Sequence, residues 1–137
     1  MSPTILIVED HNAMRSALRE WLETMFPQCH VVEAASAEEA IAVAQAELPK
    51  VIVMDISLPQ MNGIEATRHI KASVPTAQVV VLTIHEDEAY RADAKAAGVS
   101  IYVPKRTMQT ELVPALVKLL SSQGDSEDVK REAPNEV

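Results

Sequence analysis

The residues of this chain that are most suited to chemistry stand at the ends of short apolar runs. Glu9 and Asp10 follow the first run, Asp55 follows a second, Thr83 ends a third, and Lys105 comes shortly after a fourth. Together they supply three carboxylates, one hydroxyl and one ammonium group. Asp55 alone could equally well open a turn, because turn chemistry favours aspartate. Only the whole set of residues therefore indicates a function.

Carboxylates that lie close together repel each other, and the pKa of at least one must rise unless a cation is bound. Oxygen ligands that leave positions open to water favour Mg²⁺ over Zn²⁺ or an enclosed Ca²⁺. Beside such an ion, Thr83 and Lys105 can hold the oxygens of a phosphoryl group. Asp55 is the sensible nucleophile, so the pattern predicts an aspartyl phosphate at this residue.

These residues can meet only if the apolar runs lie side by side in a sheet. Short runs rich in β-branched residues alternate five times with amphipathic helical segments. This alternation predicts an α/β fold, in which a doubly wound parallel sheet carries helices on both faces. The carboxyl ends of its strands would share one edge, where ligands bind in such sheets. We expect strands near 5–8, 31–32, 51–54, 78–82 and 101–103, and helices near 14–25, 37–48, 62–73, 86–97 and 112–120.

Several helix ends have recognisable signals. Ser36 and Glu39 have the spacing of a capping box, and Asn62 can cap the third helix. Gly98 suits the position after the last turn of the fourth helix. Pro104 cannot donate a hydrogen bond to a ladder, so the fifth strand should end there or lie at an edge of the sheet.

The motifs together resemble the receiver domain of two-component response regulators. The residues that carry this resemblance are Glu9-Asp10, Asp55-Ile-Ser-Leu-Pro-Gln-Met-Asn-Gly63, Thr83 and Tyr102-Val-Pro-Lys105. The match extends from residue 4 to about residue 120. The resemblance implies a flavodoxin-like three-layer (βα)5 fold with strand order 2-1-3-4-5. The chain is also similar to receivers that precede a helix-turn-helix DNA-binding module, which would control transcription.

The resemblance also implies residue roles and partners. A histidine kinase or a phosphotransfer protein would phosphorylate Asp55, with Thr83 and Lys105 assisting. The Mg²⁺ ligands would be Glu9, Asp10, Asp55 and the backbone carbonyl of Ser57. The chain would then be a signalling switch and not an enzyme, with at most slow self-phosphorylation and autodephosphorylation.

A switch mechanism follows from these roles. Thr83 would turn to donate to the phosphoryl group, and Tyr102 would fill the space that it leaves. The face formed by the fourth helix, fifth strand and fifth helix (residues 85–120) would then change between two states. Many receivers have proline directly after the lysine, on a cis bond, but this chain has Arg106. We predict a trans Lys105–Arg106 bond, because a cis bond without proline costs about 3 kcal/mol.

Bulk properties limit the functional classes. The 137 residues carry a net charge of −8, which argues against direct nucleic-acid binding by this chain. No apolar stretch is long enough to span a membrane, and no leader precedes the first strand, so we expect a cytoplasmic protein. We expect a receiver domain over residues 1–121 and a flexible acidic tail or linker over 122–137. A homodimer is possible, and the sequence does not decide it.

Other interpretations compete with this one. A Mg²⁺-dependent phosphohydrolase would use the same aspartyl phosphate, but it would need a second acid just beyond Asp55, where Ile56 and Ser57 stand. A flavin or nucleotide module would need a glycine-rich loop after the first strand, and a docking module would not need the pocket residues. Ser57 and His85 could set the lifetime of the phosphoryl group by positioning or obstructing water, or could be plain loop residues.

Overall fold

The computed structural model describes residues 2–121 and contains a five-stranded parallel sheet in the order β2-β1-β3-β4-β5. The three inner strands are short runs rich in β-branched residues and are buried on both faces, whereas the two edge strands are partly exposed. The strands are β1 Thr4–Val8, β2 His30–Ala34, β3 Val51–Met54, β4 Gln78–Thr83 and β5 Ile101–Pro104. This is the predicted flavodoxin-like order.

Five α-helices connect the strands or follow them. They are α1 Asn12–Met25, α2 Ala37–Glu47, α3 Gly63–Ser73, α4 Glu88–Ala97 and α5 Met108–Ser121. A 3-10 turn over Lys105–Thr107 leads directly into α5. Ser36 and Asn62 cap α2 and α3 through bonds from the Glu39 and Glu65 amides, and Gly98 follows α4 with φ +104°.

The core has two layers, one on each face of the sheet. Helices α2, α3 and α4 pack on one face through residues such as Ala40, Ile70 and Ala94. Helices α1 and α5 cover the other face through residues such as Leu22 and Leu116. This arrangement gives the three layers that the alternation of strands and helices predicts.

Several element boundaries differ from the expectations, and the largest difference is at α5, which begins at Met108 and not near residue 112. Helix α4 begins at Glu88 and not near residue 86, because residues 84–86 form the loop that follows β4. Strand β2 is longer than the expected 31–32, since Thr4 to Val8 of β1 pair with all five of its residues. Pro104 is the last residue of β5, which is an edge strand, so both predicted possibilities hold.

The far end of α5 is fastened to the sheet. Lys50, just before β3, donates from Nζ to the backbone carbonyl of Leu120 at 2.6 Å. None of the helices within residues 2–121 is long and apolar enough to cross a membrane. The predicted tail, residues 122–137, lies outside the described residues, so the domain boundary at residue 121 stays a prediction.

Candidate functional site

Asp55 occupies the carboxyl end of β3, the central strand of the sheet. Its backbone N–H donates to the carbonyl of Val8 at 3.1 Å, which extends the ladder by one residue beyond the strand. The residue is only 4% exposed. The chain then turns sharply, and the N–H of Gly63 donates to the carbonyl of Ile56 at 2.9 Å. A Cβ at Gly63 would lie 2.1 Å from the Asp55 carbonyl oxygen, so this turn requires glycine.

Lys105 joins the carboxylates at the ends of two strands. Its Nζ lies 3.2 Å from Oδ2 of Asp55 and 3.2 Å from Oε1 of Glu9. Glu9 is 1% exposed and is the largest acidic side chain in the core. A buried carboxylate is tolerated only when it is paired. The ammonium therefore balances two acids at once, and it ties β5 to β1 and β3.

The pKa values within this group move in different directions. Burial raises the pKa of Asp55, and the nearby Glu9 charge raises it further, against the effect of Lys105. Burial also acts to raise the pKa of Glu9, but hydrogen bonds from His11 and the charge of Lys105 outweigh it and hold that pKa below its usual value. Burial opposes ionisation of Lys105, yet Asp55 and Glu9 raise its pKa overall. Asp55 is thus the acid whose ionised form is least favoured.

Asp10 lies on the outer side of Glu9. One of its carboxylate oxygens, Oδ1, is buried but accepts no hydrogen bond from any residue in the range 2–121. Nδ1 of His11 approaches that oxygen to 3.5 Å, while it lies 3.1 Å from Oε2 of Glu9. Glu9, Asp10 and His11 offer potential ligand atoms within 4.8 Å of one another. A buried oxygen without a partner is costly, and a cation would relieve that cost. The donor set, dominated by carboxylate oxygens, fits Mg²⁺.

Thr83 is fully buried at the end of β4, and its hydroxyl accepts the backbone N–H of His85 at 3.0 Å. Ser57 lies in the turn after Asp55, where its N–H donates to Oδ1 of Asp55 at 3.0 Å. The Ser57 hydroxyl also lies 2.8 Å from Nε2 of His85. A side-chain bridge therefore links the turn after β3 to the loop after β4.

Tyr102 connects β5 to the same loop. Its hydroxyl donates to the backbone carbonyl of His85 at 2.6 Å. The guanidinium carbon of Arg91 lies 4.6 Å from the centre of its ring, and the ring of Tyr90 stacks on His85 with centroids 4.5 Å apart. The position of Thr83 and the orientation of Tyr102 are thus both coupled to residue His85.

All peptide bonds among the described residues are trans, so the Lys105–Arg106 bond is trans as predicted. Arg106 pairs with Glu86 through two hydrogen bonds, of 2.8 and 3.0 Å. The structure therefore places Lys105 against Asp55 and Glu9 without a proline after it.

The predicted site residues share the carboxyl edge, but their contacts are uneven. Glu9, Asp55 and Lys105 touch directly, whereas Asp10 and Thr83 contact His11 and His85 respectively. The expected ligand role of the Ser57 carbonyl stays a prediction. One contact was not anticipated: Nη1 of Arg15 donates to the backbone carbonyl of Glu9 at 2.8 Å. No sequence signal reveals it, because it depends on how α1 is oriented against the sheet.

Comparison with known families agrees with this geometry. The model of the response regulator receiver domain matches residues 5–117. This chain belongs to the receiver-domain family. Members of the family are signalling switches rather than enzymes in the usual sense, and the phosphohydrolase alternative has no support from the comparisons.

Among curated relatives, the response regulator protein VraR of Staphylococcus aureus is 38% identical over 128 residues, covering 92% of this chain and 59% of VraR. The transcriptional regulatory protein DegU of Brevibacillus brevis is 36% identical over 121 residues, covering 88% of this chain and 50% of DegU. The chain thus spans only 50% to 59% of the length of these relatives.

Two solved structures are similar over nearly the whole chain. A two-component response regulator of the LuxR family from Aurantimonas sp. has a TM-score of 0.83 and 35% identity, covering 98% of this chain and 90% of that chain. The response regulator domain of CheB from Thermotoga maritima has a TM-score of 0.78 and 25% identity, covering 92% and 99%. The predicted receiver fold is therefore confirmed by independent structures.

Proposed function

We propose that this chain is a phosphorylation-activated switch that accepts a phosphoryl group on Asp55 from a histidine kinase or a phosphotransfer protein. The observation that carries the proposal is the Lys105 ammonium, 3.2 Å from both Asp55 and the buried Glu9. The ammonium holds the Asp55 carboxylate at the carboxyl edge of the sheet. It also offers a positive charge to the incoming phosphoryl group.

The chemistry is a phosphoryl transfer to an oxygen of Asp55. A carboxylate oxygen attacks phosphorus, the bond from phosphorus to the donor nitrogen breaks, and that nitrogen keeps the electron pair. Lys105 can then donate to one phosphoryl oxygen. Thr83 can donate to another once its hydroxyl rotates away from the His85 amide, which it now faces at 3.0 Å. Any self-phosphorylation and autodephosphorylation would be slow, because the described site has no second acid directly beyond Asp55.

We propose Glu9, Asp10, Asp55 and the Ser57 carbonyl as the groups that hold Mg²⁺. The bound ion would neutralise charge on the transferred phosphoryl oxygens. Two observations support this assignment: Oδ1 of Asp10 is buried and accepts no hydrogen bond within residues 2–121, and Glu9 and Asp55 carry like charges.

We also propose that the switch controls transcription from the cytoplasm, through a helix-turn-helix module in the full-length protein. The support is similarity to DegU, a transcriptional regulatory protein that is longer than this chain. The receiver over 1–121 and the linker over 122–137 are part of the same proposal.

The test is incubation with acetyl phosphate and Mg²⁺, followed by intact-mass measurement of the protein. Wild type should gain one phosphoryl unit and Asp55→Ala none. Asp93→Ala, which removes an exposed acid on α4, should label like wild type. Labelling of Asp55→Ala at the wild-type level would contradict the proposal. Sustained hydrolysis of a phosphomonoester by wild type would instead indicate the phosphohydrolase.

A further inference from the structure

Arg15 reaches the candidate metal site from the first turns of α1. Its Nη1 donates to the Glu9 carbonyl at 2.8 Å, its Nε to Oε1 of Glu33 at 2.9 Å, and its Nη2 to Oδ1 of Asn12 at 2.7 Å. The guanidinium is planar and rigid, so three contacts in different directions leave it little freedom. The side chain is mostly covered, with 17% exposed.

Glu33 is the anchor for this guanidinium. It stands on β2, paired in register with Ile7 of the neighbouring strand. Its second oxygen accepts Nη1 of Arg19 at 2.5 Å. The bond from Arg19 is the main cause that holds the pKa of Glu33 below its ordinary value; burial opposes it, and the bond from Arg15 adds to it. Glu33 therefore stays ionised at neutral pH and binds two arginines of α1.

The Arg15 guanidinium restrains the peptide unit between Glu9 and Asp10. The N–H of Glu9 donates to the Ala34 carbonyl at 3.1 Å, and the carbonyl of Glu9 accepts Arg15. Because a peptide unit is planar, fixing the Glu9 carbonyl also fixes the nitrogen and Cα of Asp10. Asp10 is the residue whose Oδ1 is buried without a hydrogen-bond partner among residues 2–121.

We propose that Arg15, anchored by Glu33, is a positioning residue that holds the Asp10 carboxylate in place for a divalent cation. The inference rests on the metal site of the proposed function. It gives Arg15 no contact with the ion or the phosphoryl group, and it acts only through the Glu9–Asp10 peptide. Groups that orient metal ligands in this way typically contribute tenfold or more to metal affinity.

The direction in which the affinity for the divalent ion changes distinguishes a positioning role of Arg15 from a purely electrostatic one. Removing a cation near a metal site lowers repulsion and should tighten divalent-ion binding. Loss of positioning should weaken it. Arg19→Met is the matched control, because it removes an equal charge from the same helix and a bond to the same Glu33, but no bond to Glu9.

The experiment titrates Mn²⁺ into each protein without any phosphodonor and follows the electron paramagnetic resonance signal of free Mn²⁺, then displaces Mn²⁺ with Mg²⁺. We expect the dissociation constant of Arg15→Met to be about tenfold above wild type, and that of Arg19→Met to stay within twofold. In labelling with acetyl phosphate, Arg15→Met should need more Mg²⁺ for half-maximal rate but reach a similar maximal rate.

An unchanged or tighter dissociation constant in Arg15→Met would overturn the proposal, as would an equal loss in Arg19→Met. If Arg15→Met does not fold, Arg15→Lys decides by the same comparison, because a lysine cannot maintain all three contacts. Metal binding is measured without phosphorylation. A wild type that binds Mn²⁺ but is never labelled on Asp55 would therefore contradict the proposed function and leave this test valid.

Discussion

At the scale of single residues, the site is a set of buried charges that do not balance. Glu9 and Asp55 are 1% and 4% exposed, and Lys105 lies at hydrogen-bonding distance from each of them. Two acids share one ammonium, so one acid stays poorly compensated. The raised pKa of Asp55, caused first by burial and then by Glu9, identifies it as that acid. The residue proposed to accept the phosphoryl group is thus one that destabilises the metal-free fold.

We predict that Asp55→Asn is more stable than wild type at pH 7 in the presence of a chelator. The pKa of Asp55 is higher in the folded protein than the ordinary value of 3.8. Its contribution to stability is therefore fully present below that ordinary value and is lost as pH rises through the folded-state pKa. The substitution should add about 1 kcal/mol to the free energy of unfolding, measured by urea denaturation.

The gain in stability should shrink as pH falls toward the ordinary value of 3.8, because the raised pKa means that wild-type Asp55 takes up its proton above that pH. It should also shrink when Mg²⁺ is added, because an ion present at ten times its dissociation constant stabilises wild type by about 1.4 kcal/mol. A variant that is less stable than wild type in chelator at pH 7 would refute the prediction.

The bridge between Ser57 and His85 should govern how long Asp55 stays phosphorylated. The two side chains bind each other at 2.8 Å, so Nε2 of His85 is occupied and the Ser57 hydroxyl is held toward it instead of toward a water. His85→Ala should therefore speed dephosphorylation by about fivefold, the rate equivalent of one hydrogen bond of about 1 kcal/mol. The decay of the phosphorylated mass after acetyl phosphate is removed gives this rate.

Ser57→Ala should have a similar effect, and the double variant should decay no faster than either single variant, because both remove the same bridge. Slower decay in His85→Ala would indicate instead that the imidazole orients the attacking water.

At the scale of elements, the turn between β3 and α3 is the part that most constrains the site. It brings Gly63 so close to Asp55 that a Cβ would lie 2.1 Å from the Asp55 carbonyl oxygen. The backbone atoms that it would meet are the carbonyl carbon and oxygen of Asp55, the residue whose N–H donates to Val8. A side chain at position 63 would therefore move the phosphoacceptor and the start of α3 together.

We predict that Gly63→Ala lowers the free energy of unfolding by about 2–3 kcal/mol, the usual scale of overpacking in a tight interior. Labelling of Asp55 by acetyl phosphate should fall in the same variant. Ser73→Ala, at the exposed end of the same helix, should change stability by no more than about 0.5 kcal/mol. A Gly63→Ala protein with wild-type stability and labelling would show that the turn can relax.

The elements that were predictable have strong local causes. β-branched runs mark the strands, and Ser36, Asn62 and Gly98 mark helix ends through hydrogen bonds or φ values that suit their side chains. Helix α4 was less predictable at its start, because the Asp87 side chain makes no capping bond. The contact of Arg15 with Glu33 joins residues 18 apart and depends on packing, so local patterns do not reveal it.

At the scale of the whole molecule, His85 connects the two halves of the proposed switch. Its N–H reaches Thr83 in the site, and its carbonyl accepts Tyr102 from β5. Rotation of Thr83 toward a phosphoryl oxygen would break the first of these bonds. The loop after β4 would keep its bonds to Ser57, Tyr102 and Arg106, and a shift of the loop would move Tyr102 and Arg91 with it. The edge location of β5 allows this movement without opening the central strands.

We predict that beryllofluoride with Mg²⁺ changes amide hydrogen exchange over residues 84–121 and leaves α2, Ala37–Glu47, unchanged. The central sheet is shared, but the contacts that His85 makes within residues 2–121 are with the turn after β3, with β4, with α4 and with β5, and none is with α2. Asp55→Asn should abolish the change. Tyr102→Phe should reduce it, since the hydroxyl bond to the loop is lost. An equal change in α2 would contradict a switch confined to one face.

The bond from Lys50 to the Leu120 carbonyl holds the carboxyl end of α5 at the rim of the sheet where β3 begins. Lys50 precedes β3 and Asp55 follows it, so the two mark opposite rims. Four strand residues separate these rims, roughly 13 Å at about 3.3 Å per residue. A downstream module attached after Ser121 would thus start on the side away from the chemistry. In the proposed switch, the change at this rim would be a shift of α5, which is bonded there to Lys50.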